Sequence, residues 1–163
     1  MPFYLEEKDM VPELVGFKSI LIIPCRFCPA ASAAVRDNKP YFEFFRRRLK
    51  TEAFEQQIRT LQTRLRDRGI KANVFKSHLL HQFILCMWTE RRRRKLKKVA
   101  SKFEAAIVVG CEAGVQTVIE AIKSTSCRVL HGTKTEGIMN VVPNLRLPGN
   151  LWIKCEGINR VLH

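Results

Sequence analysis

The sequence contains no apolar run near the roughly 20 residues that a helix needs to cross a bilayer. Its first stretch, residues 1–13, is mixed and acidic and lacks the charged and then apolar layout of a secretory signal. Export is therefore not expected, and we predict a cytoplasmic protein with no membrane partner. In that compartment the six cysteines are expected to be thiols or metal ligands rather than disulfides.

Acidic residues are scarce, since 15 Asp and Glu stand against 29 Lys and Arg, a net charge of +14. The electric field of a chain with this positive charge attracts acidic partners, whether nucleic acid, an acidic protein or an anionic cofactor. The chain also lacks a nucleophile elbow, a phosphate-cradling glycine loop and a paired-carboxylate constellation. We therefore expect a non-catalytic accessory or electron-transfer protein rather than an enzyme.

Two continuous apolar runs rich in β-branched residues, 19–23 and 105–109, end at Pro24 and Gly110. Runs of this kind are typical of strands buried on both faces of a parallel sheet. Helical apolar stripes are present at 54–65, 90–103 and 112–124. Alternating strands and helices predict one α/β domain over residues 1–163. Its doubly wound, mainly parallel sheet of about four strands would give a Rossmann-like or flavodoxin-like three-layer fold.

Weaker patterns cover the rest of the chain. An apolar stripe after Pro40 predicts a helix reaching Leu49, and residues 71–77 and 127–131 are predicted to be short strands. Residues 83–88 fit either a strand or a buried helix. From about residue 132, glycines and prolines predict a loop-rich tail.

Three cysteines follow the two strong strands. Cys25 and Cys28 come directly after the first strand, and Cys111 comes directly after the second. Binding groups in open α/β sheets collect beyond the carboxyl ends of the strands, so these thiols meet if the two strands are neighbours. Cys86 is the fourth candidate. Four thiolates suit tetrahedral zinc or an iron–sulfur cluster, and we predict a metal site.

Two other interpretations of the cysteines stay open. A buried free cysteine behaves as a small hydrophobe, and we interpret Cys127 in this way. Alternatively, Cys25 and Cys28 form a redox dithiol whose thiolate is stabilised by a helix amino terminus and by Arg26. We rank this dithiol oxidoreductase below a metal site, because dithiol chemistry needs no third cysteine at the same edge.

A family resemblance rests on the residues around the second strand, 105–109, which is followed by Gly110-Cys111-Glu112-Ala113-Gly114. With Cys25-Arg26-Phe27-Cys28 after the first strand, this segment resembles the MetV-like family of proteins associated with methylenetetrahydrofolate reductase. The resemblance implies iron–sulfur ligation by Cys25, Cys28 and Cys111, and an accessory role beside a larger enzyme in redox or one-carbon metabolism. Ser32 stands where the family has a further cysteine, so Cys86 would have to supply the missing ligand.

Two residues after the second strand are candidates for cofactor binding. Gly114 lets the backbone approach a cofactor or a neighbouring strand closely, and Glu112 is the one carboxylate placed near the predicted site. Packing explains Gly114 equally well, and the helix dipole explains Glu112 without chemistry. His131 is a further candidate ligand or proton donor, whereas His78 and His81 are expected to be a surface or half-buried pair.

The basic run Arg91-Arg92-Arg93-Arg94 is the most conspicuous charge cluster. It predicts phosphate contacts, which makes a basic nucleic-acid-binding module a second candidate function. The alternative is a helix with a solvated basic face. With residues 46–48 as a second basic cluster, the same patch would suit an acidic redox partner.

Overall fold

The computed structural model describes residues 2–43, 50–76, 84–146 and 149–160. Within these ranges the helices are α1 (Cys28–Arg36), α2 (Glu52–Asp67), α3 (Glu90–Ala100) and α4 (Glu112–Ile122). The strands are β1 (Phe3–Glu7), β2 (Ser19–Pro24), β3 (Phe42–Glu43), β4 (Lys71–Val74), β5 (Ala105–Val109), β6 (Arg128–His131), β7 (Thr133–Arg146) and β8 (Asn150–Arg160). Short 3-10 helices span Val11–Leu14 and Leu85–Met87.

The two apolar runs form β2 and β5, which are neighbours in a parallel sheet of order β4-β2-β5-β6. Alternate residues of β2 face opposite sides of this sheet. Ile20 and Ile22 pack with α1 and α2, while Leu21 and Ile23 pack with α3 and α4. Because helices cover both faces, every position of β5 is buried, which explains why its sequence is continuously apolar.

The prediction of one mainly parallel sheet is wrong, because half of the strands form a second, antiparallel sheet of order β1-β7-β8-β3. The tail expected to be loop-rich from about residue 132 supplies the long hairpin of β7 and β8. This hairpin is largely solvated and carries glycine and proline, so its strands lack the apolar runs that mark β2 and β5. The helix expected after Pro40 is also wrong where it is described, since 42–43 form β3; residues 44–49 lie outside the described ranges.

Helix α1 lies between the two sheets. Its small residues, among them Ala30 and Ala34, share one apolar cluster with Ile20 of the parallel sheet and with Met139 of the antiparallel sheet. Alanines allow this close approach on both sides because they carry only a Cβ. The start of α1 is thereby placed under β1 of the second sheet.

Helix α2 follows the predicted apolar stripe, and Phe54, Ile58 and Leu65 are buried. It ends before Gly69, whose φ of 75° is a left-handed conformation that glycine adopts without strain. Among the described residues, no helix is both long and apolar enough to span a bilayer.

The strand order creates a switch point between β2 and β5. From β2 the chain crosses to β4 on one side, and it then returns to β5 on the other side. In open α/β sheets the loops leaving such a point diverge and form a crevice where ligands bind. Here those two loops carry Cys25, Cys28 and Cys111.

Replacing Gly137 by Ala is expected to lower the free energy of unfolding by about 1–3 kcal/mol. Gly137 lies in β7 between Tyr4 of β1 and Arg160 of β8, and an added Cβ would overlap the Asn159 carbonyl and the Arg160 backbone. The matched control is Gly157→Ala in β8, where an added Cβ meets nothing within 4 Å. Urea denaturation of both variants checks this, and equal stabilities would contradict the described pairing.

Candidate thiol site at the edge of the parallel sheet

The loop after β2 and the loop after β5 bring three cysteines to one edge. The backbone N–H of Cys25 donates to the Val109 carbonyl at 2.8 Å and so extends the pairing of β2 with β5. Cys28 is the first residue of α1, and Cys111 is the residue directly before α4. The three residues therefore lie at the same edge of the sheet, and Cys28 and Cys111 share one buried cluster there.

Cys25 packs in a different apolar cluster from the other two thiols. It continues the side of β2 occupied by Ile23 and packs with Phe75 and Leu85, and only 2% of its surface is exposed. Burial raises the pKa of this thiol to about 11, against the opposing effect of the Leu85 and Phe27 backbone N–H groups. Cys25 is therefore a protonated thiol within the apolar interior.

Cys28 and Cys111 form a pair of thiols that lie together at the edge of the sheet. Both belong to one small buried cluster with Leu5, and their exposed fractions are 8% and 6%. The hydrogen bond from Cys28 is the largest influence that lowers the pKa of Cys111, and the same bond raises the pKa of Cys28. The pair thus holds one proton on Cys28 and leaves Cys111 as the acceptor.

The amino terminus of α4 favours a thiolate at Cys111. The Cys28 hydrogen bond and, more weakly, the backbone N–H groups of Gly114, Ala113 and Cys111 itself lower the pKa of Cys111; their sum outweighs burial, which raises it, and brings the pKa to about 6. Unpaired N–H groups at a helix start stabilise an anion in this way. Near neutral pH, Cys111 is therefore a thiolate beside the Cys28 thiol.

The antiparallel sheet encloses this pair. The Phe3 backbone interacts with the Cys28 sulfur, and the Leu5 N–H donates to Ser32 Oγ at 2.9 Å. Ser32 Oγ also lies 3.0 Å from the Cys28 carbonyl oxygen, so Ser32 ties β1 to α1. At the start of β7, Thr133 Oγ1 donates to the Gly110 carbonyl at 2.7 Å and fixes the loop before Cys111.

Cys86 lies at the margin of the site. It is exposed on the 3-10 turn Leu85–Met87, and a thiolate at Cys86 would be repelled by a thiolate at Cys111. Partial burial raises the pKa of Cys86. Throughout the described ranges, no group of three or more His, Cys, Asp or Glu side chains is arranged to hold a metal ion.

The two predicted cofactor contacts have local explanations. A Cβ added at Gly114 would lie 3.4 Å from Leu85, so the space in front of this glycine is filled by that side chain. The Glu112 carboxylate lies 3.7 Å from His131 Nδ1, at the end of β6 beside Cys111. His131 thus approaches the edge of the sheet, where it faces a carboxylate.

Arg26, expected to stabilise a thiolate, contacts a carboxylate instead. Its guanidinium Nε lies 2.6 Å from Glu55 of α2, and both side chains are largely buried. The cation therefore neutralises an acid on the neighbouring helix.

The basic run lies on α3, and its four arginines differ in environment. Arg92 is buried, lies over the Phe75 and Trp88 rings at 4.6 and 5.1 Å, and donates to the Lys76 carbonyl at 2.7 Å. Arg94 pairs with Glu90 at 3.2 Å, Arg91 is exposed and Arg93 is half-buried. Nucleic-acid binding stays a prediction, now for a patch without Arg92. Residues 46–48, His78 and His81 lie outside the described residues.

Sequence reasoning placed Cys28 and Cys111 at one edge, but it missed that Cys25 packs in a separate cluster, and it missed the enclosing strand β1. The signal for the first was available, because the alternation of β2 places Leu21, Ile23 and Cys25 on one face. Cys127 was interpreted as a small hydrophobe; it is buried, and burial raises its pKa to about 11.

Comparison with known proteins adds no relative: no protein-family model, no curated protein and no solved structure matches the chain.

Proposed function

We propose that the chain is a thiol redox protein in which Cys111 is the nucleophile and Cys28 is the resolving thiol. The observation that carries this proposal is the placement of Cys28 and Cys111 in one small buried cluster at the switch point of the parallel sheet. Each cysteine starts a different helix, so the pair combines a stabilised thiolate with a neighbouring proton donor. The pair replaces the Cys25–Cys28 dithiol expected from the sequence spacing.

The chemistry is an exchange with a disulfide substrate. The Cys111 thiolate attacks one sulfur, the substrate S–S bond breaks, and the departing thiolate takes the proton from Cys28. Cys28, now a thiolate, attacks the Cys111 sulfur of the mixed disulfide and releases the second substrate sulfur as a thiolate. The chain is oxidised by two electrons to a Cys28–Cys111 disulfide, and the substrate is reduced to one thiol and one thiolate.

The enclosure of the pair favours a small disulfide. Cys28 and Cys111 each expose less than a tenth of their surface beneath β1, so a folded protein disulfide meets a steric barrier at this site. A low-molecular-weight disulfide needs only a narrow approach to the Cys111 sulfur. We therefore assign small disulfides as the substrate class.

Treatment with 2-hydroxyethyl disulfide is expected to convert Cys28 and Cys111 into one intramolecular disulfide. The exposed Cys86 and the half-buried Cys155 are first replaced by Ser, so that their side reactions do not obscure the result. Peptide mapping then locates the bridge, and Cys28→Ala in the same background should stop at a mixed disulfide on Cys111. Recovery of Cys28 and Cys111 as free thiols after oxidation would reject the proposal.

A second candidate is a metal- or iron–sulfur-binding accessory protein. The observation that favours it is that Cys25, Cys28 and Cys111 lie at one edge of the parallel sheet, with Cys86 on the 3-10 turn that contacts α4. Thiolate sulfur fits zinc and iron–sulfur clusters chemically, as the MetV-like resemblance also implies. The geometry of the described side chains does not fit a metal site, because no three His, Cys, Asp or Glu side chains among them are arranged to coordinate one ion. A bound cluster would supply a one-electron carrier to a larger redox enzyme or an acidic protein in redox or one-carbon metabolism.

Anaerobic purification separates the two candidates. The metal site would be supported, and the dithiol rejected, if the protein contains zinc, or iron with acid-labile sulfide, and if four of its thiols are protected from alkylation. Metal-free protein with six titratable thiols on denaturation would reject the metal site.

A further inference from the structure

A cavity of about 610 Å³ lies on the face of the parallel sheet covered by α1 and α2. Its walls are α2, the end of α1 and the 7–14 segment, which begins at the last residue of β1, and it reaches the carboxyl end of β5 at Val109. Cys28 and Cys111 do not line it. Its volume is that of a site for a small organic molecule.

The floor of the cavity is apolar. Six side chains from the 7–14 segment, α2 and β5 form it, and all but the partly buried Leu61 are buried: Met10, Leu14, Ile58, Leu61, Leu65 and Val109. The apolar part of a ligand placed on this floor would be removed from water. Burial of this kind contributes about 25 cal/mol to the binding free energy for each Å² of apolar surface buried.

The rim of the cavity carries excess positive charge. Lys39, Arg64 and Arg68 line it, and no acidic side chain lies within 4 Å of these three cations among the described residues. Arg64 lies in the last turn of α2 and Arg68 directly follows the end of that helix, and both line the cavity. Their charges are therefore placed to act on one ligand group.

The other charged groups at the rim largely neutralise one another. Arg36 lies 3.4 Å from Asp37 and 3.9 Å from Glu7, and Lys8 pairs with Glu13. The remaining acid, Asp9, also lies at the rim. Five cations and three acids line the cavity, so the lining has a formal charge of +2.

We propose that this cavity binds a small amphiphilic anion, with its anionic group against Lys39, Arg64 and Arg68 and its apolar body on the floor. The combination of uncompensated cations and a buried apolar surface selects this class over neutral apolar molecules and over cations. The proposal is independent of the reaction at Cys28 and Cys111.

The test uses the full chain with 8-anilinonaphthalene-1-sulfonate as a fluorescent probe. Decanoate and decyl phosphate are expected to displace the probe, while decanol and decyltrimethylammonium displace it at least about tenfold less well. Salt should weaken the displacement by both anions, because the cations are at the surface. Displacement of equal strength by decanol, or no displacement by either anion, would overturn the proposal. If decanoate and decyl phosphate displace the probe with different strength, the stronger of the two identifies the preferred head group.

A charge-matched pair of variants locates the site. Arg64→Ala/Arg68→Ala is expected to weaken decanoate binding about tenfold or more, whereas Lys97→Ala/Lys98→Ala on α3 removes the same charge and should leave it unchanged. Arg64→Lys/Arg68→Lys keeps the charge and should retain most of the binding. Equal weakening by both alanine pairs would show a general charge effect and overturn the assignment to this cavity.

Discussion

Replacing Cys111 by Ser is expected to abolish a fast reaction of the folded protein with iodoacetamide and to lower the initial alkylation rate at pH 7 by about 30-fold. A thiol with a pKa of about 6 is about nine-tenths thiolate at pH 7, whereas an ordinary thiol is only a few per cent ionised. The thiolate is the species that reacts. The rate of the first alkylation event, followed by mass spectrometry, measures this difference.

The exposed cysteines require a matched background for that experiment. Cys86→Ser/Cys155→Ser removes the two thiols that are not buried, and Cys127→Ser adds a buried control at the opposite end of the parallel sheet. The fast reaction should survive Cys127→Ser and disappear with Cys111→Ser. A fast reaction that persists without Cys111 would assign the reactive thiol to another residue.

Replacing Cys28 by Ala is expected to raise the pKa of Cys111 by about one to two pH units. The Cys28 hydrogen bond is the largest influence that lowers this pKa. A hydrogen bond stabilises a charged group by about 1.5–3 kcal/mol, and a stabilisation of about 1.36 kcal/mol shifts a pKa by one unit. The measurement is the midpoint of the alkylation rate at Cys111 against pH in the variant and in the wild type.

The variant Cys28→Ser separates proton donation from sulfur chemistry. A serine hydroxyl donates a hydrogen bond but forms no disulfide, so Cys28→Ser should keep the pKa of Cys111 closer to its wild-type value than Cys28→Ala does. Both variants should lose the intramolecular disulfide. Identical midpoints in the Ala and Ser variants would show that hydrogen bonding from residue 28 does not stabilise the thiolate.

The parallel half of the fold and the location of the site could be predicted from the sequence. The apolar runs at 19–23 and 105–109 are long enough, and rich enough in β-branched residues, to mark buried strands. Their neighbouring positions place Cys25, Cys28 and Cys111 at one edge, as the alternation of strands and helices predicted. Here local pattern and tertiary packing favour the same structure.

The antiparallel half could not be predicted from the same signals. Strand β1 is short and contains two exposed glutamates, and the distal half of β7 is solvated. These strands are stabilised by pairing between residues distant in sequence, such as Phe3 with Ile138, which a local apolar pattern does not report. The enclosure of the site by β1 was missed for this reason.

The roles of the individual cysteines depend on side-chain direction. Sequence spacing suggested Cys25 with Cys28, but the alternation of β2 turns Cys25 into the apolar interior and leaves Cys28 to meet Cys111 across the switch point. Residue spacing within one loop does not show which side of the sheet each side chain faces. The partner of Cys28 is therefore Cys111, which comes from a segment distant in sequence.

The measurement that tests the central claim most directly is the residue-resolved pH profile of alkylation in the reduced, metal-free wild-type protein. We predict a midpoint near pH 6 at Cys111, no matching ionisation at Cys28, and protection of Cys25 up to about pH 11. An ordinary midpoint at Cys111, between about pH 8 and 9, would contradict the account, because Cys28 and Cys111 would then be two unrelated thiols.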